Sequence, residues 1–183
     1  VVCLITNKAI FPGIDGVIGG GIINQFNYII NPDKKNIRFI KRKFNNSDFN
    51  YSNLSLINDK PYVKTQIENR DYFIHFDAGN DFTFGSTEIL IENPKSITDF
   101  KKKRIASLDV LGIDWYDILE KENTLVIDNK KLYKKDFYFR TQRGFHGPDL
   151  IKNYGNIGLD IFKNHVILVN YDQMSFQIKK TAP

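Results

Sequence analysis

The sequence predicts an all-β protein with one or two short helices. Three observations predict it. Apolar residues alternate in short runs separated by turns rich in Asn, Asp and Gly. Two similar segments near the ends of the chain both read as strand, turn, strand. An aspartate, Asp77, closes the apolar run "YFIHFD" just before a small residue and a glycine.

Composition bounds what the chain can be. With 183 residues, 42% of them hydrophobic and 14% aromatic, it can bury a core as one or two small domains and is no disordered tail. No stretch approaches the roughly 18 uninterrupted apolar residues of a membrane helix, and Val1 to Ile5 lacks the basic start of a signal peptide, so no membrane span is expected. A first residue other than Met reads as a processed or incomplete piece. Cys3 is the only cysteine, which excludes an internal disulfide. The 26 Lys and Arg against 21 Asp and Glu give a net charge of +5. They fall in separate clusters, Lys41-Arg42-Lys43, Lys101 to Arg104, Lys130-Lys131 and Lys134-Lys135, with acids between them. Such runs are solvated faces, and no nucleic-acid motif accompanies them, so nucleic acid is not the expected partner.

The two ends match without a gap. Set "GVIGGGIINQFNYIINPDKKNIRFIK" (Gly16 to Lys41) over "GNIGLDIFKNHVILVNYDQMSFQIKK" (Gly155 to Lys180), an offset of 139 (155 − 16), and 7 of 26 positions are identical. Composition alone gives roughly two. The match reads as a duplicated unit: a glycine-bearing turn, a short amphipathic segment (Ile22-Ile23 or Ile161-Phe162), a strand, a turn with Asp33 or Asp172, and a second strand.

Between the copies, residues 44–60 are rich in Asn, Ser and Asp and read as a linker with room for one short strand. A hairpin follows, with Val63, Thr65 and Ile67 alternating, a turn over Glu68 to Asp71, and Tyr72 to Phe76 running back. "FTFG" reads as a strand. "SITDFKKKRI" reads as a helix, with Ser96 as its cap and Asp99 in its first turn. "NTLVIDNKKLYKKDFYF" is strand, turn, strand, bent at Asp128-Asn129.

Asp77 is the candidate for chemistry. A carboxylate at the end of an apolar strand is costly unless satisfied. The small Ala78 and Gly79 let the chain turn sharply and bring backbone N–H groups to it. His75 alternates onto the same side, but His75, His146 and His165 show no ligand spacing, so no metal is expected. "GVIGGG" lacks the Lys-Ser/Thr of a phosphate loop, and the second copy loses two of its glycines.

These features together resemble the retropepsin-like members of the pepsin superfamily of aspartic peptidases, of the bilobed bacterial type. In that family each lobe has an apolar strand running into Asp-Thr/Ser-Gly and a closing motif of two apolar residues and Gly before a short helix. Phe76-Asp77-Ala78-Gly79 resembles the first; Val17-Ile18-Gly19 and Asn156-Ile157-Gly158 resemble the second. The resemblance implies acid-protease β-barrel lobes: 1–43 as the last part of a first lobe, 44–60 as linker and 61–183 as a second lobe. It implies endopeptidase chemistry on a polypeptide substrate without cofactor or metal. Asp77 is then one catalytic carboxylate, with Ala78, Gly79 and Asn80 as its loop and Gly19 and Gly158 as structural glycines. The second carboxylate falls upstream of Val1, on a missing N-terminal segment, or on a second chain.

Trp115 and Tyr116 sit where the family has a hairpin overhanging the cleft, and "RGFHGPDLIKN" where a loop edges it. Exported bacterial relatives suggest an extracytoplasmic place. The sequence departs from the family at Ala78, which lacks the hydroxyl that braces the two carboxylate loops, and at Asn80-Asp81. The alternative reading is therefore a catalytically inert binding or scaffolding protein on the same fold.

Overall fold

The computed structural model describes residues 18–43, 53–80, 82–92, 100–109, 112–140, 152 and 154–181. In chain order the elements are α1 (Gly20–Ile23), β1 (Phe26–Asn31), β2 (Asn36–Lys41), β3 (Leu54–Ile57), β4 (Lys60–Ile67), β5 (Arg70–Phe76), β6 (Phe84–Gly85) and α2 (Thr87–Glu92). They continue with β7 (Lys101–Asp109), β8 (Gly112–Ile127), β9 (Lys130–Arg140), β10 (Gly155–Ile157), a 3-10 turn (Leu159–Phe162), β11 (His165–Asn170) and β12 (Ser175–Lys180). The all-β class is as the sequence predicts, with two short helices.

Turn chemistry makes the hairpins. Asn58-Asp59, Glu68-Asn69 and Asp128-Asn129 are each a pair of left-handed residues, with φ between 49° and 65°, joining β3 to β4, β4 to β5 and β8 to β9. Two consecutive positive φ values give the turn whose twist matches that of the flanking strands, and Asn and Asp tolerate it best.

Strands β4, β5, β10, β6, β9 and β8 are hydrogen-bonded in that order, and the β4–β8 pairing, Thr65 opposite Ile127, closes them into a six-stranded barrel. Its inward residues follow from strand alternation: Val63, Ile74, Leu125, Ile127, Phe137, Phe139 and Ile157 are buried. Phe76 packs edge-to-face on Phe162 and Phe176, with ring centroids 6.1 and 5.0 Å apart, joining the barrel to the four-stranded sheet beneath it.

That sheet has the order β12-β11-β1-β2. Its two hairpins are the two similar segments of the sequence. The bounds of α1 and the 3-10 turn, of β1 and β11, and of β2 and β12 each differ by 139. Lys35 and Met174, also 139 apart, are both left-handed, with φ of 50° and 46°.

One expectation is corrected. Lys101 to Ile105 belong to β7 and not to a helix; Ser96 and Asp99 lie outside the described residues. The ladder with β8 overrides the local signal, because it sets Lys101 opposite Glu120 and Arg104 opposite Asp117, and joins Lys103 to Glu120 in an ion pair. The short helix is instead α2, where the Ser86 hydroxyl accepts the Glu88 N–H at 3.2 Å as an N-cap. Within 44–60, β3 pairs with β4, Leu54 opposite Val63, while 44–52 lie outside the described residues.

Candidate active site

Strand β5 aims Asp77. Tyr72, Ile74 and Phe76 point into the core, so Phe73, His75 and the residue that follows the strand, Asp77, take the other face, each half-buried. The chain then turns at once: Asn80 N–H donates to Asp77 C=O at 3.1 Å, and Gly79 N–H donates to the Asp77 carboxylate at Oδ1, 2.9 Å. A Cβ on Gly79 would stand 3.3 Å from that oxygen, so glycine leaves the carboxylate room beside its own loop. The turn therefore gives the carboxylate a backbone donor from its own loop.

The closing motif holds this loop from the side. Strand β10 runs parallel to β5, with Asn156 opposite His75 and Ile157 opposite Phe76. Beyond the ladder, Asp77 N–H donates to Ile157 C=O at 3.0 Å and Leu159 N–H to Asn80 C=O at 3.3 Å. Gly158 N–H donates to the Thr83 hydroxyl at 3.0 Å. A Cβ on Gly158 would meet the Asn80 carbonyl oxygen at 2.4 Å and the Phe82 backbone at 3.0 Å, so a side chain there would push the two loops apart. Gly158 has a role of packing, while Gly19, its counterpart at the 139 offset, has open space around it among the described residues.

Burial lowers the His75 pKa from its usual 6.5; the Asp77 carboxylate opposes this, and Lys60 adds to it. His75 is thus neutral at pH 7, its ring tilted against that of Tyr62 at 5.6 Å between centroids.

The hairpin β7–β8 extends beside this loop. Asn80, Phe82 and Phe84 face Ile105, Ala106, Ile118 and Tyr138 across a narrow apolar pocket of about 20 Å³, room for about one water molecule. Trp115 lies opposite Ala106 on the same hairpin but is 53% exposed, with the Arg104 guanidinium 5.9 Å from its ring. It is not among the pocket's walls. The Tyr116 side chain, Val17, Asp81 and all of "RGFHGPDLIKN" except Lys152 lie outside the described residues. Of the pocket's walls the sequence pointed to Asn80 alone, and it gave no sign of the Thr83 hydroxyl. A threonine six positions past the aspartate carries no periodic signal, and the pocket is assembled by strands far apart in the chain.

No protein-family model matches the sequence, and no curated protein matches it. Among solved structures, the chain is similar to a retropepsin-like aspartic protease from Rickettsia conorii, with 12% identity, 69% of this chain and 90% of that chain covered, and a TM-score of 0.38. No described helix is long and apolar enough to cross a membrane.

Proposed function

We propose that this chain is the larger part of an aspartic-type endopeptidase, with Asp77 as one of two carboxylates that activate a water. The observation that carries the reading is the carboxylate of Asp77 at a strand end, met by its own loop N–H and clamped against Ile157 by the bond from its backbone.

The second carboxylate belongs on a first lobe, upstream of Val1 or on a partner chain. Support comes from what the first hairpin leaves open. Ile157 is fully buried and Gly158 is filled by the Asp77 loop, whereas Ile18 is 57% exposed and Gly19 has open space around it among the described residues. Phe176 and Ile178 on β12 are buried, while their counterparts Ile37 and Phe39 on β2 are exposed. The outer edge of β12 is sealed by side chains: the Asn53 amide donates to Phe176 C=O at 2.7 Å and accepts its N–H at 2.8 Å, and Asp128 accepts the Ile178 N–H at 3.0 Å. A first lobe seated on β2 would cover its apolar residues as this barrel covers those of β12.

In such a dyad two carboxyl groups share one proton, because adjacent like charges cannot both ionise. The ionised one takes a proton from the water whose oxygen attacks the scissile carbonyl carbon, and the protonated one gives its proton to the carbonyl oxygen. Collapse of the diol breaks the C–N bond: the amine leaves with a proton from the carboxyl that received one, and the other carboxylate takes back a proton from a diol hydroxyl, restoring the dyad with its single shared proton. The test is cleavage of a mixed peptide library by the protein together with its first lobe. Asp77→Asn should abolish turnover; undiminished cleavage by that variant would end the proposal.

A second reading, a binding or scaffolding protein on this fold, is favoured by Ala78, whose methyl packs against the core and offers no hydroxyl across to another lobe. It predicts peptide binding that Asp77→Asn leaves unchanged, and no cleavage by the unaltered protein.

A further inference from the structure

Resting on the reading just proposed, we infer that Thr83 is a positioning residue for the Asp77 carboxylate, held to that task by Asp160 and Lys134. Thr83 is 1% exposed, so its hydroxyl must find partners inside the protein. It finds two. The hydroxyl donates to Asp160 Oδ1 at 2.6 Å and accepts the Gly158 N–H at 3.0 Å. The second carboxylate oxygen of Asp160 is held by the Lys134 ammonium at 2.9 Å.

The order of these contacts gives them a direction. A hydroxyl that donates to a carboxylate in a short charge-assisted bond is a better acceptor for the next donor, so the ion pair strengthens the grip on Gly158. Gly158 is the residue whose neighbours on both sides hold the Asp77 loop: Ile157 takes the Asp77 N–H, and Leu159 gives its own N–H to Asn80. Fixing the Gly158 amide therefore fixes both ends of the loop that carries the carboxylate. Ala78 has no hydroxyl to serve the loop, and Thr83 serves it by a different route, within the barrel and not across to another lobe. The arrangement is particular to this half of the chain, because the position 139 before Asp160 is Gly21, which has no carboxylate.

The test separates the hydroxyl from its bulk. Thr83→Val keeps the volume and loses both hydrogen bonds; Thr83→Ser keeps the hydroxyl. In the 183-residue chain, amide exchange read by NMR should be about tenfold faster at Gly158 in Thr83→Val, unchanged in Thr83→Ser, and unchanged at Ile167 and Val169 in both variants. Equal Gly158 rates in the unaltered protein and Thr83→Val overturn the inference. Should Thr83→Val fail to fold, Asp160→Asn and Lys134→Met leave the threonine in place and remove the charge behind it; Gly158 exchange should rise in both, and a rate unchanged in both overturns it equally. In peptide cleavage by the protein with its first lobe, Thr83→Val should lower kcat about tenfold at unchanged KM, with Thr83→Ser restoring it. A change confined to KM overturns the positioning role. Exchange is read in the resting protein, so faster Gly158 exchange in a protein that cuts no peptide counts for the brace and against the peptidase.

Discussion

Ile29 stands directly opposite Leu168 in the antiparallel ladder between β1 and β11, and these are the two residues that an offset of 139 makes counterparts. An antiparallel ladder has a local twofold axis between facing residues. Here that axis passes between counterparts, so each hairpin meets the other through the same positions. Any shift of this ladder would misplace both hairpins at once, because side chains alternate with a period of two.

The seam should therefore be costly to hollow. Ile167 is fully buried opposite Ile30, and Ile167→Ala should lose ~2–5 kcal/mol of stability. Urea unfolding measures it; a midpoint within error of the unaltered protein would show that the two hairpins do not depend on this contact.

The two glycines of the closing motifs should respond differently. Gly158→Ala places a Cβ against the Asn80 carbonyl oxygen and should cost ~1–3 kcal/mol, whereas Gly19→Ala meets nothing within 4 Å among the described residues and should be neutral in this chain. With a first lobe in place, Gly19→Ala should become as damaging as Gly158→Ala. Thermal melts of both variants, with and without that lobe, decide it; a neutral Gly19→Ala in the complete protein would count against a carboxylate loop seated there.

The counterpart positions on β2 and β12 should also part company. Phe176→Ala removes a buried ring and should cost ~3–5 kcal/mol, while Ile37→Ala at its exposed counterpart should change stability by about 0.5 kcal/mol or less. Chemical denaturation of the two variants measures the contrast, and equal losses would mean that β2 is already covered.

Two groups contribute to the response to acid. His75 has a folded pKa below its unfolded value near 6.5, so the unfolded chain binds the proton first and stability falls as pH drops from about 6.5 through the folded value. Asp172 works in a lower window. Burial pushes its carboxyl up, but the Lys43 N–H, the Asn27 amide and the Arg42 guanidinium outweigh it and hold the pKa below 3.8. Its contribution is complete above the unfolded value and is lost as pH falls through the folded one. Asp172→Asn should flatten the acid limb of stability below about pH 4, and His75→Phe the limb below about 6.5. Urea midpoints measured from pH 3 to 8 test both; parallel curves would contradict the assignment.

Legibility followed the range of the interactions. The turns at Glu68-Asn69 and Asp128-Asn129 were readable because local backbone preference fixes them, and the two end hairpins because each alternates over its own length. The run from Lys101 misled because its local helix signal yields to partners on β8, which sequence does not pair with it. Thr83 and Asp160 are 77 residues apart and meet only once β6 and the 3-10 turn are in place. Asp77 was legible as an oddity: a carboxylate ending an apolar strand.

The unequal ends of the four-stranded sheet limit how the chain can clump. One end is blocked by the Asn53 amide and the Asp128 carboxylate, and the edge strand β7 of the larger sheet carries Lys101, Lys102, Lys103 and Arg104. Among the described residues that leaves β2 as the unpaired border of its sheet, and a border of this kind is used up by one partner. Two stray copies joined there would cap each other, so misassembly through this sheet should halt at pairs and not grow into filaments.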